Sequence, residues 1–206
     1  MKKQQQQQLI VALTGRMRSG KDEVAAHLES AHGFERASVS APLKEAVGRL
    51  FDLEPEQLHG PRKDEPDALR LRGATPRRVL QAVGTDLLQR ELPKILPALD
   101  ATYWFARLVR EIREARGPRV VVTDVRFLHE ERLLREAFGS RGLLWRVHRP
   151  EVALKDISTA LHASELEHAC MVPDAVLVND SSLSVLRSRV DSELSKYGCG
   201  HEKHRV

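Results

Sequence analysis

Apolar residues along this chain fall into two alternating patterns. Leu9 to Leu13 is a short continuous apolar run that suits a strand buried on both faces; Val120 to Thr123, Gly142 to Val147 and Ala175 to Val178 read as further strands, and Phe34 to Val39 as another short one. Between them, apolar positions recur at helical spacing. Val24, Ala25, Leu28 and His32 form one stripe, which Gly33 stops, and Pro42 opens a second helix through Phe51. Thr75-Pro76 starts a third, with Thr as N-cap and Pro in the first turn, and carries Val79, Leu80, Val83, Leu87 and Leu88. Tyr103 to Arg116, Glu130 to Phe138 and Leu183 to Leu194 complete the set. Repeated alternation of strand and helix predicts an α/β fold with a parallel sheet covered on both faces.

The pattern also predicts the organisation. Residues 1–8 read as a disordered Gln-rich tail and 196–206 as a polar tail, flanking a single domain over 9–195. Within it, about 40–115 is a helix-rich insertion on one side of the sheet, and 150–165 is the natural place for a lid. Pro55, Gly60, Pro61, Pro66 and Gly73 make 52–74 a stretch of short helix and loop, the least ordered part of the body.

Composition narrows the class. The 206 residues are 41% hydrophobic and 30% charged, which fits a globular domain and excludes a disordered chain or a small disulfide scaffold. Two cysteines, Cys170 and Cys199, without metal-ligand spacing point to a reducing compartment and hence a cytoplasmic location. No apolar run reaches the ~18 residues of a membrane span. The 33 basic residues are mostly arginine, the side chain that grips phosphates with a planar fork. A net charge of +4 and 4% aromatics, with Arg and Glu interleaved on helix faces, argue against a stable nucleic-acid partner.

The chemistry concentrates where the first strand meets the first helix. Gly15-Arg16-Met17-Arg18-Ser19-Gly20-Lys21-Asp22 matches the phosphate-loop spacing of two glycines and a lysine. Such a loop turns successive backbone N–H groups toward one phosphate, and the helix start adds its positive end. Lys21 reaches the outer phosphates. The pattern calls for Ser or Thr after the lysine as a Mg²⁺ ligand, and Asp22 stands there instead. A carboxylate can hold Mg²⁺ directly or through water. Asp124 follows the Val120–Thr123 strand at the end where open α/β sheets bind ligands, which makes it a second metal candidate; read alone, it could equally be the N-cap of the next helix. Arg126 would point from the same strand end toward the phosphates.

Several blocks together resemble a known family. They are Gly15 to Asp22; Ser40-Ala41-Pro42-Leu43-Lys44-Glu45; Thr75-Pro76-Arg77-Arg78-Val79-Leu80-Gln81 with Gly84-Thr85-Asp86; Tyr103-Trp104; Thr123-Asp124-Val125-Arg126-Phe127 with His129-Glu130; and His162-Ala163-Ser164-Glu165. In this order they resemble the deoxynucleoside monophosphate kinases of bacteriophages, within the P-loop nucleoside monophosphate kinase group. The family often places Thr after Gly-Lys-Asp, where this chain has Glu23.

The resemblance implies a three-layer P-loop fold with a helical acceptor-binding insertion and a lid. It implies transfer of the γ-phosphoryl group of ATP, with Mg²⁺, to a deoxynucleoside 5′-monophosphate. Lys21, Asp22, Arg126 and Arg18 would be catalytic. Gly15, Arg16, Met17, Arg18, Ser19, Gly20, Lys21, Asp22 and Arg149 would bind ATP, and Asp22 and Asp124 the metal. Lys44, Arg77, Arg78, Gln81, Thr85, Asp86, Trp104 and Arg126 would bind the acceptor. Arg146, Arg149, Lys155 and His162 could reach the phosphates from the lid. Partners would be small-molecule nucleotides, with no membrane. A homodimer is common among such folds, and a phage-encoded chain would work in the host cytoplasm. Phosphomevalonate kinases, which share Gly-Lys-Asp and Pro-Leu-Lys-Glu, are the nearest enzymatic alternative. A non-catalytic nucleotide-binding module is the alternative outside enzymes.

Overall fold

In the computed structural model, which describes residues 8–150 and 170–198, the apolar runs form strands β1 (Leu9–Thr14), β2 (Glu35–Ala37), β3 (Arg119–Val122), β4 (Gly142–His148) and β5 (Ala175–Val178). All pair in parallel, in the order β2-β3-β1-β4-β5. Described helices, in chain order, are α1 (Lys21–His32), α2 (Ala41–Phe51), α3 (Pro55–Leu58), α4 (Pro76–Gln81), α5 (Leu92–Ile95), α6 (Tyr103–Ala115), α7 (Leu128–Phe138) and α8 (Leu183–Ser195). The chain forms two compact units, Val39–Trp104 and the residues on either side of that segment.

The flanking unit holds the sheet. β1 lies at its centre with every residue buried, so a run of uninterrupted apolar side chains suits it. Leu9, Val11 and Leu13 face one way, into a cluster with Val24, Ala25 and Leu28 of α1 and Leu186, Val190 and Leu194 of α8. By strand alternation Ile10, Ala12, Val120, Val122 and Leu144 face the other way, and α6 and α7 bring the buried Phe105, Leu108, Ile112 and Leu134. Helix, sheet and helix make the three layers of a P-loop fold.

Local chemistry explains several boundaries. β2 is shorter than the run Phe34 to Val39 because Phe34 closes α1 instead: its N–H donates to the Leu28 carbonyl oxygen, while Gly33, at φ 66°, donates to that of Glu29. α7 starts two residues before Glu130 because the Glu130 carboxylate reaches back over the helix start. Gln8 lies within the described residues, and its amide donates to the carbonyl oxygens of Ile112, Arg116 and Gly117 at 2.8, 3.1 and 3.1 Å.

The unit Val39–Trp104 is helical. Val47, Leu53, Leu58 and Leu71 form its core, with Leu43, Val79, Leu80 and Val83 packed against them. Two expectations change here. The segment 52–74 is short helix and loop as expected, with α3 and a 3₁₀ turn at Pro61–Asp64, but its loop is tied down by side-chain bonds. Asp67 accepts from the buried Gln57 amide at 2.9 Å and from the Leu69 and Arg70 backbone N–H groups at 3.0 and 2.7 Å. These bonds, the Arg70 backbone bond foremost, hold its carboxyl below the usual range. The helix opened by Thr75, whose hydroxyl does cap the Arg78 N–H, is also not uniform: past Gln81 it widens into π-helical turns over Ala82–Glu91. Gly84 sits in that stretch, where a Cβ would come within 2.6 Å of the Leu43 side chain of α2.

Candidate active site

The loop between β1 and α1 has the conformation its glycines require. Gly15 and Gly20 lie at φ 136° and 105°, a region other residues avoid, and Arg18 joins them at φ 63°. A Cβ on Gly15 would collide with the Val147 carbonyl oxygen, and one on Gly20 would stand 2.5 Å from the Asn179 amide. The loop is thus pressed against the ends of β4 and β5. Lys21 folds back over it, donating to the carbonyl oxygens of Gly15 at 2.7 Å and Arg16 at 2.8 Å. The ammonium is held at the loop mouth, where an anion would compete for it. Ser19 Oγ is buried and makes no hydrogen bond among the described residues. This cradle and its poised ammonium fit a phosphate chain.

β3 ends beside β1, since Ala12 pairs with Val122, and the Val125 N–H donates to the Leu13 carbonyl oxygen at 3.3 Å. Asp124 therefore stands next to the loop. Its carboxylate accepts from the Ser38 hydroxyl at 2.8 Å, and the N-cap of α7 is Phe127, so Asp124 does not cap that helix. Asp22 lies in the first turn of α1 with an 89% exposed side chain, 3.8 Å from the Arg36 guanidinium. Arg36 binds Glu29 more closely, at 2.6 Å. Two carboxylates near a phosphate loop are a donor set that fits a hard divalent cation.

Arg126 is exposed, and its backbone is fixed from below. Glu130, 2% exposed, accepts from the Arg126 N–H at 2.7 Å and the Phe127 N–H at 3.1 Å through one oxygen. Burial pushes the Glu130 carboxyl up to about 8 against the pull of those two bonds, and the Asp124 charge adds to the rise.

The remaining candidates are distributed as follows. Arg16, Arg18 and Arg149 are exposed and Met17 half-buried. Arg146 donates to the Met171 carbonyl oxygen at 2.8 Å. Lys44, Arg77, Arg78, Gln81, Thr85, Asp86 and Trp104 all belong to the unit Val39–Trp104. There, Arg77 grips Asp64 with two nitrogens, at 2.5 and 3.1 Å, and Arg78 donates to Asp86 at 3.2 Å. Trp104 meets Tyr103 edge-on, and its Nε1 is buried without a hydrogen-bond partner among the described residues. Lys44 and Lys63 lie near His59, where burial first and then their charges lower the imidazole pKa. Lys155, His162 and the lid segment from 151 lie outside the described residues, as do His201 and His204.

Sequence reasoning missed three residues of this arrangement. Asn179 donates from the end of β5 to the Ser19 carbonyl oxygen at 2.9 Å, while its backbone N–H donates to that of His148 at 2.7 Å. Glu130 and Ser38 are the other two. The only signal for Asn179 was its place directly after the last apolar run.

A protein of Acanthamoeba polyphaga mimivirus named "Putative deoxynucleotide monophosphate kinase" is 36% identical over 192 residues, covering 89% of this chain and 95% of that protein. The chain belongs to the deoxynucleotide monophosphate kinase family. Its phosphate loop and sheet order make this family member a P-loop kinase. No family model matches the chain. Among solved structures, the family member is similar to shikimate kinase from Aquifex aeolicus vf5, with TM-score 0.47, 13% identity and coverage of 94% of this chain and 100% of that one. It is also similar to dephospho-CoA kinase from Campylobacter jejuni, with TM-score 0.45, 16% identity and coverage of 92% and 97%.

Proposed function

We propose that the protein transfers the γ-phosphoryl group of ATP to a deoxynucleoside 5′-monophosphate. A phosphate oxygen of the acceptor forms the new bond to the γ-phosphorus, the bond to the β–γ bridging oxygen breaks, and ADP and a deoxynucleoside diphosphate leave. The observation that carries this reading is the Lys21 ammonium resting on the carbonyl oxygens of its own glycine loop, beside a strand end that presents Asp124. The name of the mimivirus relative supports the acceptor class.

Phosphoryl transfer asks for position and charge compensation more than covalent chemistry. The loop N–H groups and Lys21 hold the β and γ phosphates of ATP. Arg18 and Arg126 offer guanidinium forks to the charge shared between donor and acceptor. Asp22 and Asp124 hold Mg²⁺, which supplies charge neutralisation to the phosphates when bound. Lys44, Arg77, Arg78, Gln81, Thr85, Asp86 and Trp104 are assigned to the acceptor by resemblance to the family. No described helix is long and apolar enough to cross a membrane.

The test is ADP release from Mg-ATP in the presence of deoxynucleoside monophosphates, ribonucleoside monophosphates or phosphomevalonate. Stimulation by one or more deoxynucleotides is expected. Release stimulated by phosphomevalonate alone, or by no acceptor, would overturn the proposal.

A further inference from the structure

Away from the phosphate loop, two imidazoles and a carboxylate converge between α1 and α8. His27 Nε2 lies 2.6 Å and His32 Nε2 2.7 Å from the same oxygen, Asp191 Oδ1. The rings stand at 86° with centroids 5.5 Å apart, and the three ligand atoms all lie within 4.8 Å of one another. The His32 side chain is 5% exposed, that of His27 13% and that of Asp191 38%, so the group is walled on the helix side and open along the Asp191 flank.

We propose that His27, His32 and Asp191 form a binding site for a zinc-type divalent transition-metal ion, with solvent in the fourth position. Two imidazole nitrogens and one carboxylate oxygen are a borderline-soft set that suits Zn²⁺ and suits Mg²⁺ poorly. Tetrahedral Zn²⁺ with bonds of about 2.0–2.2 Å separates its ligand atoms by roughly 3.3 Å. The two imidazole–carboxylate spacings, 2.6 and 2.7 Å, are shorter than this by less than an ångström, and the half-open Asp191 side chain has room to withdraw by that much. His32 is the last residue of α1, so the negative end of the helix favours a cation there. The nearby Arg119 guanidinium is engaged with the His32 carbonyl oxygen at 3.0 Å.

This ion is not the one that serves phosphoryl transfer. At the helical rise, His27 lies roughly 9 Å and His32 roughly 16 Å along α1 from Lys21. Its effect is mechanical. It clips the helix that opens at the phosphate loop to a helix more than 150 residues later in the chain.

The full chain is stripped with chelator, then titrated with Zn²⁺ by calorimetry and with Co²⁺ by visible absorption, with thermal unfolding followed in parallel. One ion per chain is expected, with Co²⁺ bands of a four-coordinate nitrogen–oxygen site and a rise in Tm that Mg²⁺ does not reproduce. Asp191→Asn keeps the side-chain volume and should weaken binding at least ~100-fold, since even outer-shell changes reach that range. His27→Gln should do the same. Replacing His201 and His204 together by Gln should leave the site intact. Absence of one-to-one binding, or Co²⁺ spectra unchanged in Asp191→Asn and His27→Gln, would overturn the proposal and leave a purely hydrogen-bonded cluster.

Discussion

The side-chain amide of Asn179 supports the phosphate loop by donating to the carbonyl oxygen of Ser19, from a position only 8% exposed. Removing that donor leaves a buried carbonyl unsatisfied, which costs about 1–3 kcal/mol. Asn179→Ala should lower stability by this amount in chemical denaturation. It should also raise the KM for ATP more than it lowers kcat, because the loop loses its brace before it loses Lys21.

Lys21 bonds loop carbonyl oxygens from a half-buried position outside the core, so its loss should spare the fold. Lys21→Ala is expected to reduce kcat by roughly 10²–10³-fold, the range for removing one preorganised donor to a developing charge. Far-UV circular dichroism and Tm close to wild type, together with the activity loss, would check both halves.

Gly15 combines a φ of 136° with a neighbouring carbonyl oxygen where a Cβ would stand. Gly15→Ala must shift the loop or the end of β4. A loss of about 1–3 kcal/mol in stability is expected from the backbone strain alone. ATP binding, followed by calorimetry, should fall with it. Gly139→Ala makes a useful control, since it also has a positive φ but meets nothing within 4 Å. It should cost stability without touching ATP affinity.

Glu130 gives a pH dependence with a definite sign. Its carboxyl titrates near 8 when folded and near 4.5 when unfolded, so between those values the folded chain holds a proton that the unfolded chain has released. The contribution is fully present below the unfolded value and is lost as pH rises toward 8, with a slope of at most about 1.4 kcal/mol per pH unit. Glu130→Gln keeps an oxygen for the Arg126 and Phe127 N–H groups and removes the titration. Denaturation at several pH values should show wild type losing ground to the variant as pH rises through that window.

What the sequence made legible was what a residue imposes on its own neighbours. The loop turn that Gly15 and Gly20 allow and the bonds Lys21 makes back to it lie within eight positions, and Gly33 and Thr75 end and start helices through bonds to residues close in sequence. Asn179 was invisible because its partner lies 160 residues away, and only the strand order brings the two together. Glu130 stands in one of the blocks that resemble the family, but its role under the Arg126 turn depends on burial, which sequence spacing does not carry. The widened turns at Ala82–Glu91 leave no mark in the sequence, because the apolar stripe there fits a 3.6-residue period well enough to hide the change.

The central place of β1 has a consequence in time. Once made, β1 must wait for β3 and β4, both of which come more than a hundred residues later, before either of its edges is paired. At cellular synthesis rates that wait is on the order of ten seconds. During it the segment Leu9–Thr14, wholly apolar but for its last residue, has no sheet to enter. The phosphate loop at its end is made well over a hundred residues before Val147 and Asn179, the residues it is pressed against.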